Sequence, residues 1–253
     1  MTQELVPHPV ASLTAAEFLA QVESSQPYVA VFDCDGTLWA GDAGVGFMHW
    51  SMESGLLSRE AGDWIDARYR AYLRGEVSEL AICGEMAQIY RDLRETELRQ
   101  AAHTFFQKTI RPQIFPELAE LCHRLHSKGV TLWAVSSTNN WLIEDAVRDF
   151  GIPPERVLAT SVRVVNGLIT EELIDVPTDE GKAESLVRHG VEDPDAVFGN
   201  SIHDAAMLAI ARTPFAVNPT VTLIELAAAQ GWPIFQPAPI QAGLSEAGET
   251  PLG

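Results

Sequence analysis

Residues 28–32 read Tyr-Val-Ala-Val-Phe and stop abruptly at Asp33-Cys34-Asp35-Gly36-Thr37. A run of consecutive apolar, β-prone residues has no polar alternate face. It therefore fits a strand covered on both sides, which is the condition of a parallel sheet. Such a strand needs helices over both faces, and that requirement limits the chain to an α/β architecture.

The flanking patterns agree. Thr14-Ala15-Ala16-Glu17 is a capping-box signature that opens a helix through about Val22. Residues 42–112 nearly lack strand signals. Helical patterns such as 85–93 and 97–110 dominate there, punctuated by Gly55, Gly62, Gly75 and Gly84. This stretch reads as a helical insertion after the first strand. Beyond it, Pro116 sits at the first turn of a helix with an apolar stripe at Leu118, Leu121, Cys122 and Leu125, ended by Gly129. Strand signals recur at 130–135, 156–160, 196–200 and 214–219, with helices between them at about 139–150, 180–190 and 203–211. Asn166-Gly167 lies between two β-prone runs and predicts a hairpin. The expected fold is a Rossmann-like, doubly wound parallel sheet. Its α/β core comprises 1–41 and 113–253, with a small helical domain at 42–112 and a loose tail over 234–253.

Composition narrows the partners. The 253 residues suffice for a core domain plus a smaller one, and 46% apolar against 21% charged residues is ordinary for a globular chain. The net charge of −18 opposes nucleic acid and anionic lipid, and no apolar run approaches the length of a membrane span. A phosphate site on so acidic a chain has to be built locally, from a few cations and backbone N–H groups. Cys34, Cys83 and Cys122 are widely spaced with no CxxC, so neither a disulfide framework nor a zinc site is expected. The N-terminus carries no leader pattern, and the expected location is the cytoplasm. A monomer or homodimer is expected.

In a parallel sheet, functional groups gather at the C-terminal strand ends. Asp33 and Asp35 follow the first strand, Ser136 and Ser137 the second, and Asn200 the fourth, with Asp204 a turn later and Lys182 opening a helix between them. Asp33 and Asp35 point the same way on an extended segment, and Gly36 lets the chain turn at once. Carboxylates this close repel unless a cation joins them or one is protonated. Magnesium, a hard cation preferring oxygen ligands, fits that place.

These residues resemble the haloacid dehalogenase superfamily. Its first motif, an apolar strand ending in Asp-x-Asp-x-Thr, is matched by 29–38. The second, a strand ending in Ser or Thr, is matched by 132–136. The third, an isolated Lys, is matched by Lys182, and the fourth is matched in shape by 197–208, with Asn200 where an Asp is usual. The resemblance implies a nucleophile at Asp33 that forms an aspartyl-phosphate, and an acid and base at Asp35. Ser136 and Lys182 would bind the phosphoryl group. Magnesium would be held by Asp33, the Asp35 carbonyl and Asn200, with Asp204 orienting the metal shell or Lys182. An acid at position 35 favours phosphoryl transfer, because a halide leaving group needs no proton. Asn200 implies weaker metal binding.

The insertion between the first and second motifs resembles the helical cap of the phosphoserine-phosphatase-like branch. Asp42 stands where that branch often carries an acidic residue facing the substrate; helix capping is its alternative role, and Ser137 joins it as a substrate contact. The cap arginine of phosphoserine phosphatases aligns with Met86, which speaks against phosphoserine. Trp39, Phe47, Met48 and Trp50 form either an apolar entrance or cap core. His49, His103 and His203 show no metal-ligand spacing, and only His203 lies near the expected site. The expected activity is hydrolysis of a small phosphorylated metabolite. The alternatives are phosphotransfer to a hydroxyl, as in mutases of the family, and a binding module weakened at Asn200.

Overall fold

A computed structural model describes residues 12–240. In chain order the elements are β1 (Ser12–Leu13), α1 (Ala15–Ser24), β2 (Val29–Phe32), α2 (Ala43–Glu53), α3 (Arg59–Leu73), α4 (Glu79–Gln88), α5 (Glu95–Phe105), α6 (Pro116–Ser127), β3 (Thr131–Asn139) and α7 (Asn140–Ala146). They continue with β4 (Val157–Val165), β5 (Leu168–Asp175), α8 (Glu180–Arg188), β6 (Ala196–Gly199), α9 (Ala205–Ala209), β7 (Thr213–Val217), α10 (Val221–Gln230) and β8 (Ile234–Phe235).

The strands form one sheet in the order β1-β8-β7-β6-β2-β3-β4-β5. Every pairing is parallel except β4 with β5. β2 is central, flanked by β3 and β6, so its Ala30, Val31 and Phe32 are fully buried. The apolar run required this two-sided cover. One face holds Phe18, Phe32, Phe198, Phe215 and Phe235; Phe32 and Phe198 stack at 4.4 Å, as do Phe198 and Phe215 at 5.1 Å. The other face packs Val31, Val135 and Val197 against Leu186, Met207 and Leu208.

Local signals hold closely. Thr14 and Glu17 make the reciprocal capping box, with Thr14 N–H donating to Glu17 Oε2 at 2.8 Å. Thr14→Ala should cost about 1 kcal/mol, read as a small fall in the urea midpoint at unchanged slope. Asn166 and Gly167 turn the β4–β5 hairpin with φ of 52° and 75°, the pair of positive values a type I′ turn needs. Cys34, Cys83 and Cys122 are free.

Four helices, α2 to α5, separate β2 from α6, followed by a π-helical turn at Phe106–Ile110. Two of the expected punctuation points lie elsewhere than at helix ends. Gly62 and Gly84 are inside α3 and α4, where a Cβ would meet Met52 at 3.1 Å and Leu173 at 3.0 Å; close packing, not chain reversal, explains them. The loose tail also needs correction at its start. Ile234–Phe235 pairs with β7 and β1 and is buried, a two-residue strand too short to show a period. Residues 241–253 of that expected tail, and residues 1–11 of the expected core, lie outside the described residues. Among the described residues no helix is long and apolar enough to cross a membrane.

Candidate active site

Strand ends collect the polar groups. Asp33 leaves β2 with its N–H donating to Phe198 O at 2.9 Å, so the motif starts fastened to β6. Asp33 is 4% exposed. Its Oδ1 accepts from Lys182 Nζ at 2.6 Å and its Oδ2 from Thr37 Oγ1 at 2.9 Å. Lys182 comes from the first turns of α8, 2% exposed, and also donates to Asp204 Oδ1 at 2.6 Å. Asp204 spends its other oxygen on the N–H groups of Asn200 and Ser201, at 2.8 and 2.9 Å. Asp204 thus positions Lys182 and the loop after β6 together. Gly199 permits this, because a Cβ there would lie 2.6 Å from Asp204 Cβ.

Burial, then the charge of Asp204, pushes the Asp33 carboxyl up to about 7 against the opposing pull of Lys182. Burial pulls the Lys182 ammonium down, but Asp204 and Asp33 outweigh it and leave it raised, so the lysine stays charged.

Asp35 sits in a different setting. Its Oδ1 accepts from Trp39 Nε1 at 2.7 Å and Ala43 N–H at 2.6 Å, and its Oδ2 from Thr138 Oγ1 at 2.7 Å. Burial, with the charge of Asp42, pushes it up to about 6 despite these donors. A carboxyl in that range can both give and take a proton near neutrality.

Ser136 is buried near the C-terminal end of β3, its Oγ accepting from Thr138 N–H at 3.1 Å. Ser137 accepts from Thr160 Oγ1 through its carbonyl and lines the pocket. Asn200 lies against the turn of the first motif. Gly36 has φ +76°, and a Cβ there would fall 1.9 Å from Asn200 Nδ2.

Asp33, Asp35, Ser136, Ser137, Lys182 and Asn200 all line one cavity of 340 Å³, which continues between α2, α3 and α4. Asp42 lines it too while capping α2, its Oδ1 accepting from Val45 N–H at 2.8 Å, so both expected roles are open to it. Among the described residues no three His, Cys, Asp or Glu side chains converge as a metal cage. The donor set for magnesium would be one carboxylate, a backbone carbonyl, an amide and water, all hard oxygens. The buried charge fits such an ion: Asp33 and Asp204 share Lys182, while the Asp35 charge nearby adds to the repulsion on Asp33. A phosphate brought into that surplus of negative charge needs a further cation.

Some contacts were missed from sequence. Thr37, Trp39 and Thr138 directly hold Asp33 and Asp35. Thr37 stood within the motif as a signal, whereas Thr138 could be tied to Asp35 only by the β2–β3 pairing. Trp39, Phe47 and Met48 are buried core, and Trp39 adds its indole bond to Asp35. His203 lines the cavity, its Nδ1 2.6 Å from Asp179 Oδ1. His103 instead pairs with Asp145, and His49 packs edge-on against Tyr69.

Residues 30–209 match the model of the haloacid dehalogenase-like hydrolases. The chain belongs to the haloacid dehalogenase-like hydrolase family. A histidinol-phosphatase of Neisseria meningitidis serogroup C (strain 8013) is 26% identical over 218 residues, which cover 81% of this chain and 97% of the relative. A protein of unknown function from Bordetella pertussis Tohama I has a crystal structure with TM-score 0.73 and 22% identity, over 82% of this chain and 97% of that one. A probable phosphoserine phosphatase from Vibrio cholerae gives 0.61 and 18%, over 91% and 71%. At such identities the structural likeness is one of fold. It places this haloacid dehalogenase-like hydrolase with the phosphoserine-phosphatase-like architecture.

Proposed function

We propose that the chain is a magnesium-dependent phosphatase that hydrolyses a small phosphomonoester through an aspartyl-phosphate on Asp33. The observation that carries this reading is the different setting of two neighbouring carboxyls. Asp33 is buried and gripped by Lys182 and Thr37, while Asp35 is held by Trp39, Ala43 and Thr138. Paired acids whose surroundings separate their tasks are the mark of divided nucleophile and acid roles. The histidinol-phosphatase relative supports a phosphate ester as substrate.

In the first half-reaction an Asp33 oxygen bonds to phosphorus as the bond to the alcohol oxygen breaks, and Asp35 gives that oxygen a proton. In the second, Asp35 takes a proton from water, which attacks phosphorus and returns Asp33 to a carboxylate. Ser136 donates to a phosphoryl oxygen, and Lys182 offsets charge on phosphate and nucleophile. A magnesium ion held by Asp33, the Asp35 carbonyl and Asn200 would screen the phosphoryl charge. Residues 42–112 act as the cap that closes the pocket, and Asp42 and Ser137 contact the substrate. The expected setting is a cytoplasmic enzyme acting on a small phosphorylated metabolite.

The test is phosphate release from an aryl phosphate across a magnesium titration. Release should require magnesium and disappear with a chelator. Asn200→Asp adds a negative ligand and should lower the half-saturating magnesium concentration by roughly tenfold. No release from the folded protein, with or without that substitution, would leave a phosphate-ester-binding protein in place of an enzyme.

A further inference from the structure

We infer that the cap end of the pocket reads a protonated amine on the alcohol part of the substrate, with Glu79 as the specificity-determining residue. The inference takes the phosphate end of the pocket from the phosphatase reading.

The pocket has two chemically different ends. At the Asp33 end Lys182 is already engaged by two carboxylates. At the other end stand Asp42 and Glu79, beside Tyr69, Tyr72 and Met86, and no arginine lines the cavity among the described residues. Glu79 is only 16% exposed in its side chain. Its Oε2 is buried without a hydrogen-bond partner. Helix capping does not account for it, because Ser78 already caps α4 through Ala81 N–H at 3.2 Å. A first-turn acid serving only the helix dipole works equally well in solvent and has no reason to bury an unpaired oxygen.

The surroundings of that oxygen suit an ammonium. His203 Nε2 lies 3.9 Å from Glu79 Oε2, just beyond hydrogen-bond reach. The other ring nitrogen is committed to Asp179, which holds a strained φ of +50° at the start of α8. With Nδ1 donating to Asp179, the neutral imidazole has its Nε2 lone pair free to accept. The rings of Tyr69 and Tyr72 stand 6.0 Å apart and both line the cavity, apolar bulk beside the Glu79 carboxylate. A three-donor ammonium can satisfy Glu79 and His203 together. A substrate carboxylate would instead meet Asp42 and Glu79 without a cation, with Met86 offering only an apolar contact. That excludes amino-acid phosphates as good ligands and favours phosphorylated amino alcohols.

The test is calorimetric binding to the full chain carrying Asp33→Asn, with magnesium. The ligands are 5-aminopentyl phosphate, hexyl phosphate and 6-phosphonooxyhexanoate, matched in length. The amine should bind about tenfold more tightly than the hexyl ester, and the carboxylate more weakly than both. Adding Glu79→Gln should bring the amine-to-hexyl ratio to about one while hexyl affinity stays the same. Equal binding of amine and hexyl esters overturns the inference without any cap variant, as does a ratio that survives Glu79→Gln. Aryl phosphate turnover by the unsubstituted protein reports separately on the phosphatase reading. Turnover without an amine preference defeats this inference alone, and binding of none of the three ligands together with no aryl phosphate turnover defeats both.

Discussion

Asp33→Asn is expected to lower phosphate release on the order of 10⁴-fold or more, because the amide cannot supply the electron pair that forms the aspartyl-phosphate. The loss should fall on kcat, with substrate binding retained through Lys182 and Ser136. Stability should move little or rise. Asp33 is buried beside Asp204 and Asp35, and its charge is opposed by both. An amide of the same shape can still accept from Lys182 or Thr37 while relieving that repulsion. Thermal melting and acid-quench trapping of labelled phosphoenzyme separate the outcomes. A variant that melts normally, forms no phosphoenzyme and releases no phosphate agrees with the mechanism. Retention of a tenth or more of wild-type kcat would remove Asp33 from the nucleophile's role.

Lys182→Met is expected to have the largest effect on folding, about 3–5 kcal/mol of lost stability, together with loss of activity. Among the described residues Lys182 is the one cation bonded to both Asp33 and Asp204, each at 2.6 Å, and all three side chains are almost wholly buried. Removing it strands two carboxylates in a low dielectric, Asp204 wholly buried and Asp33 nearly so. The partner substitution makes the prediction specific. Adding Asp33→Asn to Lys182→Met should recover part of the loss, a coupling of 1 kcal/mol or more in a double-mutant cycle by denaturant unfolding. Strict additivity would mean that the lysine contributes only packing. Magnesium should also raise the melting temperature of Lys182→Met more than that of the unsubstituted protein, since a cation at Asp33 takes over part of the missing charge.

How much of this was legible beforehand differs from element to element. The β2 strand, the α1 capping box and the Asn166-Gly167 turn depend on residues within a few positions of each other, and each formed where its pattern lay. β1 and β8 were missed because two residues carry no period; they exist only because each finds an edge to pair with. Gly62 and Gly84 misled for a related reason. A glycine that ends a helix and one that lets a Met52 or Leu173 side chain approach look alike in sequence.

The sequence by itself determined the α/β order, the covered central strand and the carboxylates at its end, because hydrophobic period and backbone turn chemistry are short-range properties. Only the tertiary structure decided what those carboxylates face. The Asp33–Lys182–Asp204 chain joins groups 149 and 22 positions apart. The hold of Thr138 on Asp35 spans 103 positions. Glu79 and His203, from the helical segment and from the loop after β6, meet on one wall of one cavity. Such contacts are set by how the sheet aligns its strand ends and how α4 lies across them, and no local pattern in the chain encodes that distance.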